Sequence, residues 1–110
     1  MNTSYFAKSA AHPNAISIAR RNPLYYTGLT YCKLAPPEHL FRKYMLDEDD
    51  HFFQFNYIAE VLENLDPIEV IQDIGKEAIL LCWEKPGQFC HRRIVSQWLK
   101  DTIGLVVHEL

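Results

Sequence analysis

The feature that most constrains this chain is an uninterrupted apolar run, AILLCW, at residues 78–83. Charged residues lie directly on both sides of it, and a Pro-Gly turn follows at residues 86–87. A run so short and so apolar is typical of a strand buried on both faces, as found inside parallel sheets. Residues 78–83 are therefore predicted to form an inner strand of an α/β sheet.

A helix and a closing strand are predicted to follow this run. Apolar residues recur at helical spacing from Ile94 to Trp98, so residues 89–102 are predicted to be helical. Gly104 is predicted to end the helix, and residues 105–110 to form the last strand. Strand, helix and strand at this spacing predict a C-terminal βαβ unit with a right-handed crossover.

Two shorter β-leaning segments precede this unit, at residues 3–7 and 15–19. Residues 20–37 combine turn-forming prolines with three tyrosines and are predicted to be irregular but ordered. Together the segments predict one α/β domain over residues 1–110, a small, mostly parallel sheet flanked by helices. The expected arrangement has three layers and is flavodoxin- or Rossmann-like.

Three helices are predicted between the second and third strands. Pro36-Pro37 favours a helix beginning at Glu38, Asp47 is predicted to cap a second helix, and residues 66–75 form a third. The second helix is predicted to bury apolar residues at helical spacing: Phe55, Ile58, Val61, Leu62 and Leu65.

Charge and cysteine content limit the functional classes. A net charge of −3 over 110 residues argues against non-specific nucleic-acid binding, which needs a surplus of cations. Three cysteines without framework spacing predict free thiols in a reducing cytoplasm. No apolar stretch is long enough to span a bilayer and the first residues do not form a signal peptide, so no membrane association is expected.

A ligand site is predicted beyond the carboxyl end of the 78–83 strand, where ligands of open α/β sheets collect. The amino end of the next helix favours anions through its free N–H groups and dipole. Cys90 is a candidate nucleophile, His91 a candidate for proton transfer, and Glu84 a candidate base or nucleophile. A structural alternative remains open for each residue: Cys90 as a small buried side chain, His91 as a hydrogen-bonded core histidine and Glu84 as a solvated turn carboxylate.

Helical phase separates the two adjacent arginines. Arg93 shares its face with exposed polar residues, whereas Arg92 lies at the boundary of the buried face and is predicted to bind a ligand. Phe89 is a candidate for stacking on that ligand. Cys82, at the end of the strand, is a further candidate for ligand binding, and the alternative is that it is a buried structural residue.

Three other chemistries are disfavoured. A phosphatase loop would need arginine six residues after Cys90, where Ser96 stands, and a dinucleotide fold would need clustered glycines. A zinc site from Cys82, Cys90 and His91 would need adjacent ligands, and that spacing matches no paired-ligand pattern. No metal and no cofactor are predicted.

The chain resembles a known family along nearly its whole length. The segment LLCWEKPGQFCHRRIVSQWL is similar to the signature of domain of unknown function 488. So are TSYFAKS near the start, SIAR, LAPP before a helix, ENLDP, and the final Val-x-Glu at residues 107–109. The Asp-Val-Arg motif of longer members is missing, so nothing that rests on that motif carries over.

The resemblance implies a small α/β sandwich whose Cys-His-Arg helix faces a polar cleft. It does not imply a particular reaction. It implies motif positions at Cys82, Glu84, Cys90, His91 and Arg92. Five further positions come from the first two segments: Ser4, Tyr5, Lys8, Ser17 and Arg20.

These observations lead to a functional hypothesis with two alternatives. The chain is expected to bind or process a small phosphate-bearing ligand, a nucleotide or nucleotide derivative, with Arg92 and Arg20 holding phosphate and an aromatic side chain stacking. One alternative is a Cys- or Glu-dependent hydrolase or transferase acting on nucleotides. The other is an interaction module without a small ligand, in which Arg92 pairs internally with Glu84.

Overall fold

The apolar run forms an inner strand, as predicted. In the computed structural model, which describes residues 1–110, this strand is β4 (Ile79–Cys82), and all four of its residues are buried. It pairs in parallel with a strand on each side. Because both faces and both edges are covered, only apolar side chains fit along its length.

Four further strands are β1 (Asn2–Tyr5), β2 (Ala15–Ser17), β3 (Leu29–Thr30) and β5 (His108–Glu109). The five strands form a parallel sheet in the order β3-β2-β4-β1-β5. The helices are α1 (Phe6–Ser9), α2 (Glu38–Asp47), α3 (Asp50–Glu60), α4 (Pro67–Ile74) and α5 (His91–Ile103). The predicted α/β class is confirmed.

Side-chain alternation along β4 divides the core between the two faces of the sheet. Leu80 packs into a large cluster with apolar residues of α2, α3, α4 and α5. Ile79 and Leu81 point the other way, into a smaller cluster with Phe6 of α1 and Tyr26. The sheet is therefore the middle of three layers, and Cys82 lies on the same face as Leu80.

The C-terminal β4–α5–β5 unit is parallel, but β1 lies between its two strands. Gly104 ends α5 in the left-handed conformation (φ 69°), as predicted, because glycine tolerates positive φ. The last strand is shorter than expected, two residues instead of 105–110. No helix has the length and apolar character that a transmembrane span requires.

Three local predictions were wrong. The first strand ends at Tyr5, and α1 begins at Phe6. Asp47 is the last residue of α2, whereas Asp49 caps α3 by accepting a hydrogen bond from the Phe52 backbone N–H. Phe55 is 73% exposed, and the buried face of α3 carries Phe53 and Tyr57 instead.

Candidate functional site

A cleft of about 510 Å³, including the part open to solvent, lies where β2 and β4 end. Residues 19–21, which follow β2, line one side of it, and residues 82–84, at the end of β4, line another. The amino end of α5 lies at its floor through Cys90 and His91. The predicted location at the carboxyl edge of the sheet therefore holds a real concavity.

Four ionisable side chains meet at the floor. Cys82 Sγ lies 3.3 Å from Oε2 of Glu84 and 3.6 Å from Nδ1 of His91. Cys90 Sγ lies 3.9 Å from the same Nδ1. We call Cys82, Cys90 and His91 the thiol–imidazole cluster, because their two Sγ atoms and Nδ1 all lie within 4.8 Å of one another. All three residues are buried, and all three line the cleft.

One hydrogen bond determines where the ring proton of His91 resides. Its Nε2 lies 2.6 Å from the carbonyl oxygen of Ile18, just beyond β2. A carbonyl oxygen only accepts, so Nε2 carries the hydrogen and donates it. In the neutral ring Nδ1 then has a free lone pair, which faces both thiols. His91 can therefore take a proton from a thiol or bind a metal ion.

The surroundings favour ionisation of Cys90 over that of Cys82. Burial alone would raise the pKa of the Cys90 thiol, but the Cys82 thiol and His91, once its Nδ1 has taken a proton, stabilise the thiolate and lower that pKa well below its usual range. Hydrogen bonding with Cys90 raises the pKa of the Cys82 thiol, and burial adds to this. Burial, then the charge of Cys90, also raises the pKa of Glu84.

Aromatic rings form the walls of the cleft. They are Phe41 and Tyr44 of α2, Phe53 of α3, and Trp83 and Phe89 from the β4–α5 connection. Phe53 meets Phe89 edge to face at 5.5 Å between centroids, and Tyr44 lies 5.3 Å from each of them. The walls are thus mostly apolar, and the polar groups are confined to the floor and the rim.

Two arginines stand at the rim. Arg20 Nε and Arg21 Nη2 donate to the carboxylate of Glu38 at 3.0 and 2.7 Å. The side chains of Arg20 and Arg21 are 43% and 64% exposed, so both keep donors free for solvent or a ligand. Trp83 Nε1 donates to the backbone carbonyl of Arg21 at 2.6 Å and holds this segment against the cleft wall.

A known family model matches most of the chain. Residues 10–103 match the family model described as the active DUF488-N3 subclade. The chain belongs to this DUF488 family. The match runs from before β2 to the end of α5 and so includes the floor, the walls and the rim of the cleft. No curated protein and no solved structure is significantly similar to the chain.

Arg92 of this DUF488 protein does not reach the cleft, which corrects its prediction as a ligand-binding residue. Its side chain is fully buried, and its Nε and Nη2 donate to Glu109 at 3.1 and 3.0 Å. Thr3 Oγ1 donates to the same carboxylate at 2.6 Å. The proposed internal pair of Arg92 with Glu84 is also wrong, because Glu84 faces the cleft instead. Arg92 ties α5 to β1 and β5.

Three other predicted ligand residues lie outside the cleft lining. Ser17 is fully buried and donates to Asn22 Oδ1, while its Oγ accepts the Ala19 backbone N–H, so it shapes the turn after β2. Tyr5 ends β1 in register with Cys82, and Lys8 is exposed on α1, on the opposite face of the sheet. The structure gathers Cys82, Glu84, Phe89, Cys90, His91 and Arg20 around the cleft.

Several lining residues of the DUF488 cleft were not predicted as site residues. Arg21 and Trp83 adjoin predicted positions, whereas Phe53 and Tyr44 come from helices far earlier in the chain. Phe41 and Tyr44 do lie three residues apart in α2, and that helical spacing was a usable signal for an inward-facing pair.

Proposed function

We propose that this protein binds and processes a nucleotide or nucleotide derivative in the cleft. The supporting observation is the division of the cleft into three parts: aromatic walls, an arginine rim and an ionisable floor. Each part matches a different portion of such a ligand.

The walls suit a planar ring. Phe53 and Phe89 present an edge-to-face pair, and Trp83, which is 51% exposed, offers a ring surface at the mouth. Stacking of a nucleobase on an aromatic side chain is worth about 1–3 kcal/mol and tolerates any base. The walls therefore supply affinity for a base without specifying which one.

The rim suits a phosphate. Guanidinium groups bind phosphate oxygens through paired N–H donors, and Arg20 and Arg21 retain exposed donors beside the mouth of the cleft. A phosphate there would compete with Glu38 for both arginines. The amino end of α5 is a weaker candidate for the phosphate, because Cys90, His91 and Arg92 are all buried there.

The floor suits the polar centre of the ligand. The carboxylate of Glu84 is half-buried beside Cys82 and accepts hydrogen bonds from ribose hydroxyls or a base edge. The cluster lies directly next to it, so a bound ligand would place its central atoms against the chemically reactive groups.

Binding of a nucleoside 5′-monophosphate, compared with its nucleoside by calorimetry, tests the proposal. Arg21→Ala should weaken nucleotide binding about tenfold, the lower end expected for a charge-assisted hydrogen bond, because Arg21 is 64% exposed. Arg42→Ala is the matched control, since Arg42 also pairs with Glu38 but does not line the cleft. Equal affinity for nucleoside and nucleotide, unaffected by Arg21→Ala, would contradict the proposal.

Glu38→Gln should have the opposite effect. Hydrogen bonds from Arg20 and Arg21 lower the pKa of Glu38 to about 2, so it is ionised at neutral pH and offsets part of the positive charge of the rim. Removing its charge should tighten nucleotide binding by about two- to fivefold at low salt, with a smaller gain at high salt. Glu63→Gln is the control, because it changes the net charge by the same amount at an exposed position outside the cleft. If Glu63→Gln tightened nucleotide binding as much as Glu38→Gln, the effect would not come from the charge of Glu38 at the rim.

A cysteine-dependent hydrolase or transferase is the second candidate. It is favoured by His91 Nδ1, whose lone pair lies 3.9 Å from Cys90 Sγ, in the position of a base that activates a nucleophile. A thiol free to attack a ligand is also free to react with iodoacetamide. Alkylation of Cys90 in the purified protein therefore tests this candidate.

A further inference from the structure

The thiol–imidazole cluster has the dimensions of a metal site. Its Nδ1 atom lies 3.6 Å from one sulfur and 3.9 Å from the other, and all three atoms fit within 4.8 Å. Zinc bonds of about 2.3 Å to sulfur and about 2.0–2.1 Å to nitrogen place tetrahedral ligand atoms roughly 3.5–3.8 Å apart. A zinc ion would therefore fit among these side chains once the most widely separated ligand atoms, which lie within 4.8 Å, move together by up to about 1 Å.

The orientation of His91 matches that of a metal-bound histidine. Such a ring uses one nitrogen for the metal and donates its other N–H to a carboxylate or backbone carbonyl, which fixes the ring. Here Nε2 donates to the carbonyl of Ile18 at 2.6 Å, so Nδ1 is the free nitrogen. It is also the nitrogen that faces both sulfur atoms.

The backbone explains how adjacent residues converge, which the sequence argued against. Cys90 is extended (φ −155°, ψ 144°) immediately before α5, and His91 is the first helical residue. The change of backbone direction between them brings both side chains to the end of β4, where Cys82 lies.

We infer that Cys82, Cys90 and His91 bind a zinc ion whose fourth coordination position faces the cleft beside Glu84. Thiolate and imidazole ligands select zinc over magnesium or calcium, which prefer oxygen. Three protein ligands with one open position are typical of catalytic rather than structural zinc. All three ligands and Glu84 line the same cleft, so that position is accessible to a small ligand.

The site would supply hydrolysis. Glu84 would accept a proton from water held at the open position. The water oxygen would bond to an electrophilic carbon or phosphorus of the cleft ligand as the bond from that atom to the leaving group breaks, and Glu84 would return the proton to the leaving group. One water is consumed for each bond broken. This step rests on the proposed function, whereas zinc binding itself does not depend on which ligand the cleft accepts.

Cobalt substitution tests the inference. The full-length protein, stripped with a chelator under reducing conditions, should bind one Co²⁺ per chain and develop thiolate-to-cobalt charge-transfer and tetrahedral d–d bands. Zn²⁺ should abolish both. Loss of a residue that only hydrogen-bonds to a metal ligand typically weakens metal binding by roughly 10–100-fold. Cys90→Ser and His91→Ala remove the ligands themselves and should weaken metal binding by more than that. Cys32→Ser is the control, because Cys32 is exposed and outside the cluster, and its spectrum should be unchanged.

Alkylation of the wild-type protein gives a second readout that needs no folded variant. Zn²⁺ should protect Cys82 and Cys90 from iodoacetamide, while Cys32 reacts with or without the metal. Absence of cobalt bands, or alkylation of Cys90 that proceeds in the metal-free protein and is not slowed by Zn²⁺, would overturn the zinc site. Nucleotide binding should be measured on the same samples. If the protein binds nucleotide but not metal, the zinc site is wrong and the proposed function stands.

Discussion

Replacing Arg92 with methionine should lower the free energy of unfolding by about 3 kcal/mol. The Arg92 side chain is completely buried and donates twice to Glu109. Methionine fills much of the same space but leaves the carboxylate without its cationic partner. We expect the lower end of the usual range for a broken buried pair, because the Glu109 side chain is 29% exposed and water relieves part of the loss.

Urea denaturation followed by circular dichroism measures this effect. Arg93→Met is the matched control, since Arg93 is the next residue in α5 and is exposed. Its stability should stay within about 0.5 kcal/mol of the wild type. If Arg92→Met instead left stability unchanged and abolished nucleotide binding, Arg92 would be a ligand residue and the structural role assigned to it would be wrong.

Phe53→Ala should destabilise the protein by about 3–5 kcal/mol, the range for removal of a buried phenylalanine. Phe53 is 6% exposed and belongs to the larger core, where its ring stacks on Tyr57 at 5.8 Å and meets Tyr44 and Phe89. The same substitution would enlarge the cleft, since Phe53 is also part of its wall.

Phe55→Ala is the control for this prediction. Phe55 lies two residues later in the same helix and is 73% exposed, so its loss should change the free energy of unfolding by no more than about 0.5 kcal/mol. Equal effects of the two substitutions in thermal or urea unfolding would show that the packing described for α3 is incorrect.

These two phenylalanines also show where sequence patterns stop being informative. Residues 52–58 of α3 contain apolar or aromatic side chains on every side of the helix, so periodicity alone did not distinguish Phe53 from Phe55. Tertiary packing against the sheet makes that choice. By contrast, β4 and the end of α5 at Gly104 were predictable, because charged flanks and a glycine mark them locally.

Locality also decides which site residues could be predicted. Cys82, Glu84, Cys90 and His91 belong to one strand–turn–helix junction, so the order of elements alone brings them together. Arg92 belongs to the same junction, but its environment is set by Glu109 in a different strand. The final Val-x-Glu of the family resemblance contains that glutamate, yet sequence order gave no reason to pair it with the Cys-His-Arg motif.

The hydrogen bond from His91 to Ile18 has a mechanical consequence. The carbonyl that orients the imidazole lies only two and three residues before Arg20 and Arg21, and Trp83 clamps the same short stretch from the other side. The imidazole and the guanidinium groups are therefore anchored to one continuous piece of backbone, with a hydrogen bond at each of its ends.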